Sequence, residues 1–193
     1  PYLFDFDDNV EPIRDLDKLE IFREILVSEK LLSLQYRNDV LGNYKGIVSA
    51  ISNLKKEYIS PEKFSAIIDS FEANLEEKSK KLEARRIEKL RDLQKFYIRY
   101  LQLMQEKNLI DFDDMIYKVT DAFAKNDDLV KFFQEQYLYT LVDEFQDTNN
   151  AQLEVIKAVS SFAGIDSNIF AVGDDDQTIF RFQGASSDNF EKF

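Results

Sequence analysis

Cysteine and histidine are both absent from the 193 residues. Without thiols the chain can form no disulfide and no thiolate zinc centre, and without imidazole it lacks the commonest proton shuttle and metal ligand. Catalysis here would run on carboxylates, amides, hydroxyls, Lys or Arg. No apolar run approaches the roughly 20 residues of a membrane span, and no signal-peptide pattern opens the chain. A cytoplasmic location without membrane contact is the expectation that fits these absences. Low-complexity linkers and internal repeats are missing as well. Acid, by contrast, is plentiful: 37 Asp and Glu against 25 Lys and Arg give a net charge of -12. Such a field opposes encounter with a polyanion rather than steering it. The imbalance is uneven, since from Leu138 onward there are 10 acidic and 3 basic residues, leaving 22 of the 25 basic side chains in the first 137. With 44% apolar residues the chain is long enough for one or two buried cores.

Helical spacing dominates the first two thirds. Pro1 to Pro12 is a short acidic lead-in, after which Leu16, Leu19, Ile21, Phe22, Ile25 and Leu26 mark one apolar face. A second helix carries Tyr44, Ile47, Val48, Ile51, Leu54 and Tyr58. Ser60-Pro61-Glu62 predicts a helix start, with a serine cap, proline at the first position and acid in the first turn. Phe64, Ile67, Ile68, Phe71 and Leu75 continue that stripe. Glu76 to Gln94 is highly charged but free of Gly and Pro, which predicts a long, partly solvated helix with an interruption near Ser79. Its basic residues Lys78, Lys80, Lys81, Arg85, Arg86, Lys89 and Arg91 interleave with Glu76, Glu77, Glu83, Glu88 and Asp92 at ion-pairing spacings, so a salt-bridged solvated face is expected. A further helix begins at Asp111 and a short one spans Asn126 to Gln136.

The pattern changes at Leu138. Leu138 to Val142 is an apolar run ending in Asp143-Glu144, the expectation being a strand buried on both faces. Ala151 to Phe162 is amphipathic helix, and Asn168 to Val172 is a second apolar strand ending in Gly173-Asp174. Strand, helix, strand at this spacing is a parallel βαβ unit. The expected fold is thus mainly α with a partial α/β portion.

Adjacent carboxylates at the C-terminal edge of a parallel strand stand where ligands of open sheets bind. In nucleotide hydrolases the first carboxylate of such a pair holds Mg²⁺ and the next can activate the attacking water. An acidic strand-to-helix loop in which Asp147 or Thr148 merely caps the next helix would look the same. The second loop, Gly173-Asp174-Asp175-Asp176-Gln177, would lie beside the first, with Gln177 able to meet a phosphate or the water.

Leu141-Val142-Asp143-Glu144-Phe145-Gln146-Asp147-Thr148-Asn149 and the run from Val172 through Gly173-Asp174-Asp175-Asp176-Gln177-Thr178-Ile179-Phe180-Arg181-Phe182-Gln183-Gly184-Ala185 resemble motifs II and III of superfamily 1 DNA helicases of the UvrD/Rep type. Asn108 to Met115 resembles the element preceding motif II, and Ile51 to Phe64 resembles the helical insertion more weakly. The resemblance implies a helical insertion subdomain over 1–107, then a βαβ corner of a RecA-like parallel-sheet ATPase domain over 108–193, with motif II at 141–149 and motif III at 172–185. It implies an ATP-dependent helicase that moves from 3′ to 5′ on single-stranded DNA and unwinds duplex junctions, as in DNA repair. Asp143 would hold the Mg²⁺ of MgATP, Glu144 would be the general base, and Gln177 would sense the γ-phosphate. Asp147 receives no role. Phe180 and Phe182 stand where the family often has rings that stack on bases, an interaction indifferent to sequence; two core rings remain the alternative.

Two departures qualify the likeness. Gln183 replaces an arginine common in relatives, and nothing resembles the Gly-x-x-x-x-Gly-Lys-Ser/Thr loop that cradles phosphates. The family's later arginines are missing too, so the expectation is an internal fragment that does not turn over ATP alone. Two other classes stay open: a metal-dependent nuclease using Asp143, Glu144, Asp147 and Asp174, and a non-enzymatic helical interaction module. The assignment of Phe182 yields a direct prediction. In the complete protein Phe182→Ala should cost about 1–3 kcal/mol of single-strand affinity and leave the melting temperature unchanged. A core ring would instead lose about 3–5 kcal/mol of stability, which thermal melting beside a DNA titration will distinguish, with Phe180→Ala as the companion variant.

Overall fold

The structure, a computed structural model, describes residues 10–36, 39–161 and 168–174. The chain divides into two compact units. The described residues of the helical unit are 10–36, 39–54 and 59–111, and those of the second unit are 55–58, 112–161 and 168–174. Among the described residues no helix is long and apolar enough to cross a membrane.

The helical unit contains α1 (Asp15–Ser28), most of α2 (Tyr44–Lys56), α3 (Pro61–Ala73) and α4 (Glu77–Glu106). The apolar stripes of these helices converge on one core. Phe22 sits at its centre, fully buried, with its ring 4.7 Å from Phe96, 5.1 Å from Tyr44 and 5.3 Å from Tyr100. Ile25 and Leu26 of α1, Ile47 and Ile51 of α2 and Ile68 of α3 close around these rings. Each such side chain gains about 1.5–3 kcal/mol on leaving water. α3 starts as its sequence predicts, with the Ser60 hydroxyl accepting from Lys63 N at 3.2 Å and Pro61 at the first position.

α4 runs unbroken for 30 residues, about 45 Å at the usual rise, so the interruption expected near Ser79 does not occur. Its two halves differ. The C-terminal half carries Phe96, Tyr97, Tyr100, Leu103 and Met104 into the core, whereas Leu82 in the N-terminal half is 85% exposed. The charged half is tied to α3 instead: Arg91 pairs with Asp69 at 2.5 Å and Glu72 at 3.2 Å, and Arg86 lies 5.2 Å over the Phe71 ring. The hydrogen bond from Arg91 to Asp69 raises the guanidinium pKa above its ordinary value. The helix stops at Asn108, whose left-handed φ of 50° lets its N–H reach Gln105 O at 3.1 Å.

The lead-in segment is not idle. Glu11–Pro12 forms β1, which pairs in parallel with β2 (Leu109–Ile110), Glu11 opposite Leu109 and Pro12 opposite Ile110. Just beyond β2, buried Asp111 accepts from Tyr100 Oη at 3.0 Å and lies 3.9 Å from Lys18 Nζ. The sequence stripe also placed Leu16 on the apolar face, yet it is 75% exposed, because the face of α1 that meets the core is centred on Ile21, Phe22 and Ile25.

The second unit orders α5 (Phe112–Lys125), α6 (Asp127–Gln136), β3 (Thr140–Val142), α7 (Asn150–Ser160) and β4 (Ile169–Ala171). α5 and α6 both pack on α7, with Phe123, Leu129, Ala151 and Leu153 buried. Thr120 Oγ1 joins α5 to α7, donating towards Ile116 O at 2.9 Å and Ala151 O at 3.2 Å. β3 and β4 are parallel, Thr140 opposite Ile169, Leu141 opposite Phe170 and Val142 opposite Ala171. The expectation of a strand buried on both faces is corrected here: Leu141 is 78% and Phe170 64% exposed. Both point to the same uncovered face, and only further structure laid on a parallel pair would bury it.

The core makes a measurable distinction. Phe22→Ala should destabilise the helical unit by about 3–5 kcal/mol, whereas Leu16→Ala should stay within about 0.5 kcal/mol. Denaturant titration followed by helix content checks both, and equal effects would contradict the assigned core.

Candidate functional site

The site is built by the turn that follows β3. Val142 ends the strand and hands over to Asp143 and Glu144, and the chain then winds into a short 3₁₀ turn at Phe145–Asp147. Glu144 makes the turn possible by adopting the left-handed conformation, φ 52° and ψ 44°, which costs a side chain-bearing residue about 1–2 kcal/mol. Burial of Phe145, 1% exposed, supports that cost on the other side. Backbone bonds hold the turn against β4: Val172 N donates to Val142 O at 2.8 Å, and Phe145 N donates to Val172 O at 2.9 Å.

The turn then passes directly into α7. Asn149 is its N-cap, accepting from Gln152 N at 2.9 Å, while Gln152 Oε1 accepts from Asn149 N at 3.0 Å. This reciprocal pair is a capping box. Neither Asp147 nor Thr148, the two caps weighed from the sequence, takes this place. The Thr148 hydroxyl donates to Phe145 O at 2.7 Å.

A cleft of about 610 Å³ opens beside this turn. Asp143, Glu144, Asp147 and Thr148 form one rim, and Met115, Ile116 and Val119 of α5 face Val155 and Ile156 of α7 across it. The floor is apolar and the rim is carboxylate. No Lys or Arg is among its lining residues within the described part of the chain. A phosphate would therefore be repelled from this rim unless a cation stood between them, and hard carboxylate oxygens suit Mg²⁺. One further observation fits a cation or its water shell: Asp147 Oδ1 is buried and has no hydrogen-bond partner among the described residues, a condition that ordinarily costs about 1–3 kcal/mol. Asp143 Oδ1 accepts from Glu144 N at 3.0 Å.

The structure thus brings Asp143, Glu144 and Asp147 to one cleft. Gln177, Phe180, Phe182 and Gln183 lie outside the described residues. A residue that sequence reasoning passed over is Gln146, 2% exposed. Its amide nitrogen donates to Glu144 Oε2, and its Oε1 accepts from the backbone N–H of Asp174 at 2.9 Å. Its only signal in the sequence was its place between two acidic residues after a buried phenylalanine.

Comparison with known sequences points the same way. Residues 2–193 match the family described as UvrD/REP helicase N-terminal domain. The chain is 32% identical over 166 residues to ATP-dependent DNA helicase Rep of Buchnera aphidicola subsp. Schizaphis graminum, covering 86% of this chain and 22% of that protein. It is 31% identical over 162 residues to DNA helicase II of Rickettsia typhi, covering 81% and 23%. It is 26% identical over 189 residues to ATP-dependent DNA helicase PcrA of Bacillus subtilis, covering 93% and 23%. The chain spans less than a quarter of the length of these relatives.

Proposed function

This chain belongs to the UvrD/REP helicase N-terminal domain family, and on that footing we propose that it supplies the cation-holding and water-activating part of an ATP-driven DNA helicase. The observation that carries this reading is the cleft at the end of β3, where Asp143, Glu144 and Asp147 share one rim. Asp143 would hold Mg²⁺, and Asp147 adds a further carboxylate to the same cleft. Bound Mg²⁺ neutralises the phosphate charge that the acidic rim would otherwise repel. Glu144 takes the proton of the attacking water. Gln177 senses the γ-phosphate, and Phe182 with Phe180 stacks on the bases of single-stranded DNA at or near duplex junctions.

The complete protein, acting in the cytoplasm, would couple hydrolysis to movement along one strand and to unwinding, in the 3′ to 5′ direction that kinship suggests. This chain alone does not turn over ATP on our reading, because phosphate positioning and transition-state charge stabilisation are most of phosphoryl-transfer catalysis. Its net charge of -12 also leaves most of the DNA affinity to other segments.

The test is Glu144→Gln in the complete helicase. The amide keeps the shape but cannot accept a proton, so hydrolysis should fall about 10²–10⁴-fold while nucleotide affinity is retained. A parallel loss of affinity would make Glu144 a binding residue. Metal-dependent DNA cleavage that disappears with Asp143→Ala would move the site to nuclease chemistry.

A further inference from the structure

We infer that Gln146 is a positioning residue that holds the Glu144 carboxylate in its working orientation and locks it to the end of β4. This rests on the reading of Glu144 as the base and adds a residue to which no role was assigned.

Three observations carry it. Gln146 is 2% exposed and both ends of its amide are engaged. Glu144 itself is exposed, and among the described residues Gln146 is the one hydrogen-bond partner of its carboxylate. The amide has no freedom to turn over, because the backbone N–H of Asp174 can only meet the oxygen, which sends the NH₂ group to the carboxylate.

The chemistry follows from the division of oxygens. A general base must present one lone pair along one direction, whereas an exposed glutamate has three rotatable bonds and scatters that lone pair over many directions. With Oε2 taken by the Gln146 amide, Oε1 is the oxygen left to receive the proton of water. The other end of the amide makes this anchor rigid. Gln146 leans on the Asp174 backbone, which continues from β4, and the parallel pairing of β3 with β4 keeps the two strand ends together.

The experiment uses the complete helicase, with Gln146→Ala and Gln146→Glu each made beside native Glu144 and beside Glu144→Gln. The glutamate variant keeps an acceptor for the Asp174 N–H but has no donor for Glu144, so it separates catalytic positioning from simple support of the loop. It also keeps the question answerable if the alanine variant folds poorly. DNA-stimulated kcat, KM for MgATP, affinity for a fluorescent ADP analogue and melting temperature are measured. Both variants should lower kcat about 10–100-fold, the range seen when the partner that orients a functional side chain is lost, with ADP-analogue affinity and KM unchanged. Beside Glu144→Gln neither variant should lower kcat further, because groups that act as one unit are not additive. Native kcat in both variants, or an equal fold-loss in both backgrounds, overturns the positioning role. If Glu144→Gln itself turns over normally, the base reading fails and this inference fails with it; a crippled Glu144→Gln beside fully active Gln146 variants sinks the positioning role alone.

Discussion

Two backbone hydrogen bonds, Val172 N to Val142 O at 2.8 Å and Phe145 N to Val172 O at 2.9 Å, hold the part of the molecule from which the site follows. They extend the β3–β4 ladder beyond the last residue of each strand. Once that ladder continues, the chain after Val142 cannot run straight on, and the left-handed Glu144 gives it the corner it needs. Phe145 is driven into the interior by the same corner, and the carboxylates on either side of it are left at the cleft. The acidic rim is therefore a by-product of strand pairing plus one buried ring, and it does not depend on mutual attraction among the acids, which repel one another.

A second constraint is electrostatic. Lys55 is fully buried and its ammonium lies 2.6 Å from the buried carboxylate of Asp114 in the first turn of α5. Breaking such a pair on one side is expensive, about 3–5 kcal/mol, although replacing both partners by apolar groups is often neutral. The pair is a buried ionic contact within the second unit. It sits in a four-residue stretch, 55–58, that belongs to the second unit, and two neighbours share its anchoring: Asn150 donates to the Glu57 carboxylate, and the Tyr58 ring lies 5.2 Å from that of Tyr117. Charge, amide and ring fix this short segment to α5 and α7 in one register. Since Asn150 is the first residue of α7, the anchoring ends next to the capping box that follows the site turn.

Charge also divides the labour. The excess acid is concentrated from Leu138 onward, while in α4 Arg91 forms ion pairs with α3 and Arg86 lies over the Phe71 ring. Such exposed pairs contribute little stability, about 0–1 kcal/mol each, but they add to the hold on a long helix whose first half meets the core through the partly buried Ile87 and Leu90. Of the two arginines expected to pair along their own helix, Arg86 does so with Glu83, whereas Arg91 pairs with Asp69 and Glu72 of α3.

Local chemistry was legible in the residues themselves. The Ser60-Pro61 helix start, the helical stripes, the two apolar strands and the carboxylate pair at a strand end all depend on neighbours within about four positions, and a sequence displays those directly. The motif pattern marked Asp143 and Glu144 for the same reason. What required the tertiary structure involves partners distant along the chain. β1 pairs with a strand about a hundred residues away, Leu16 and Leu82 leave their stripes because no neighbour covers them, and Leu141 with Phe170 stays open on a two-stranded sheet. Gln146 belongs with these, since its significance comes from the N–H of Asp174, 28 positions on. Periodicity records which side chains prefer to be buried; which of them find a partner is decided only when the chain closes on itself.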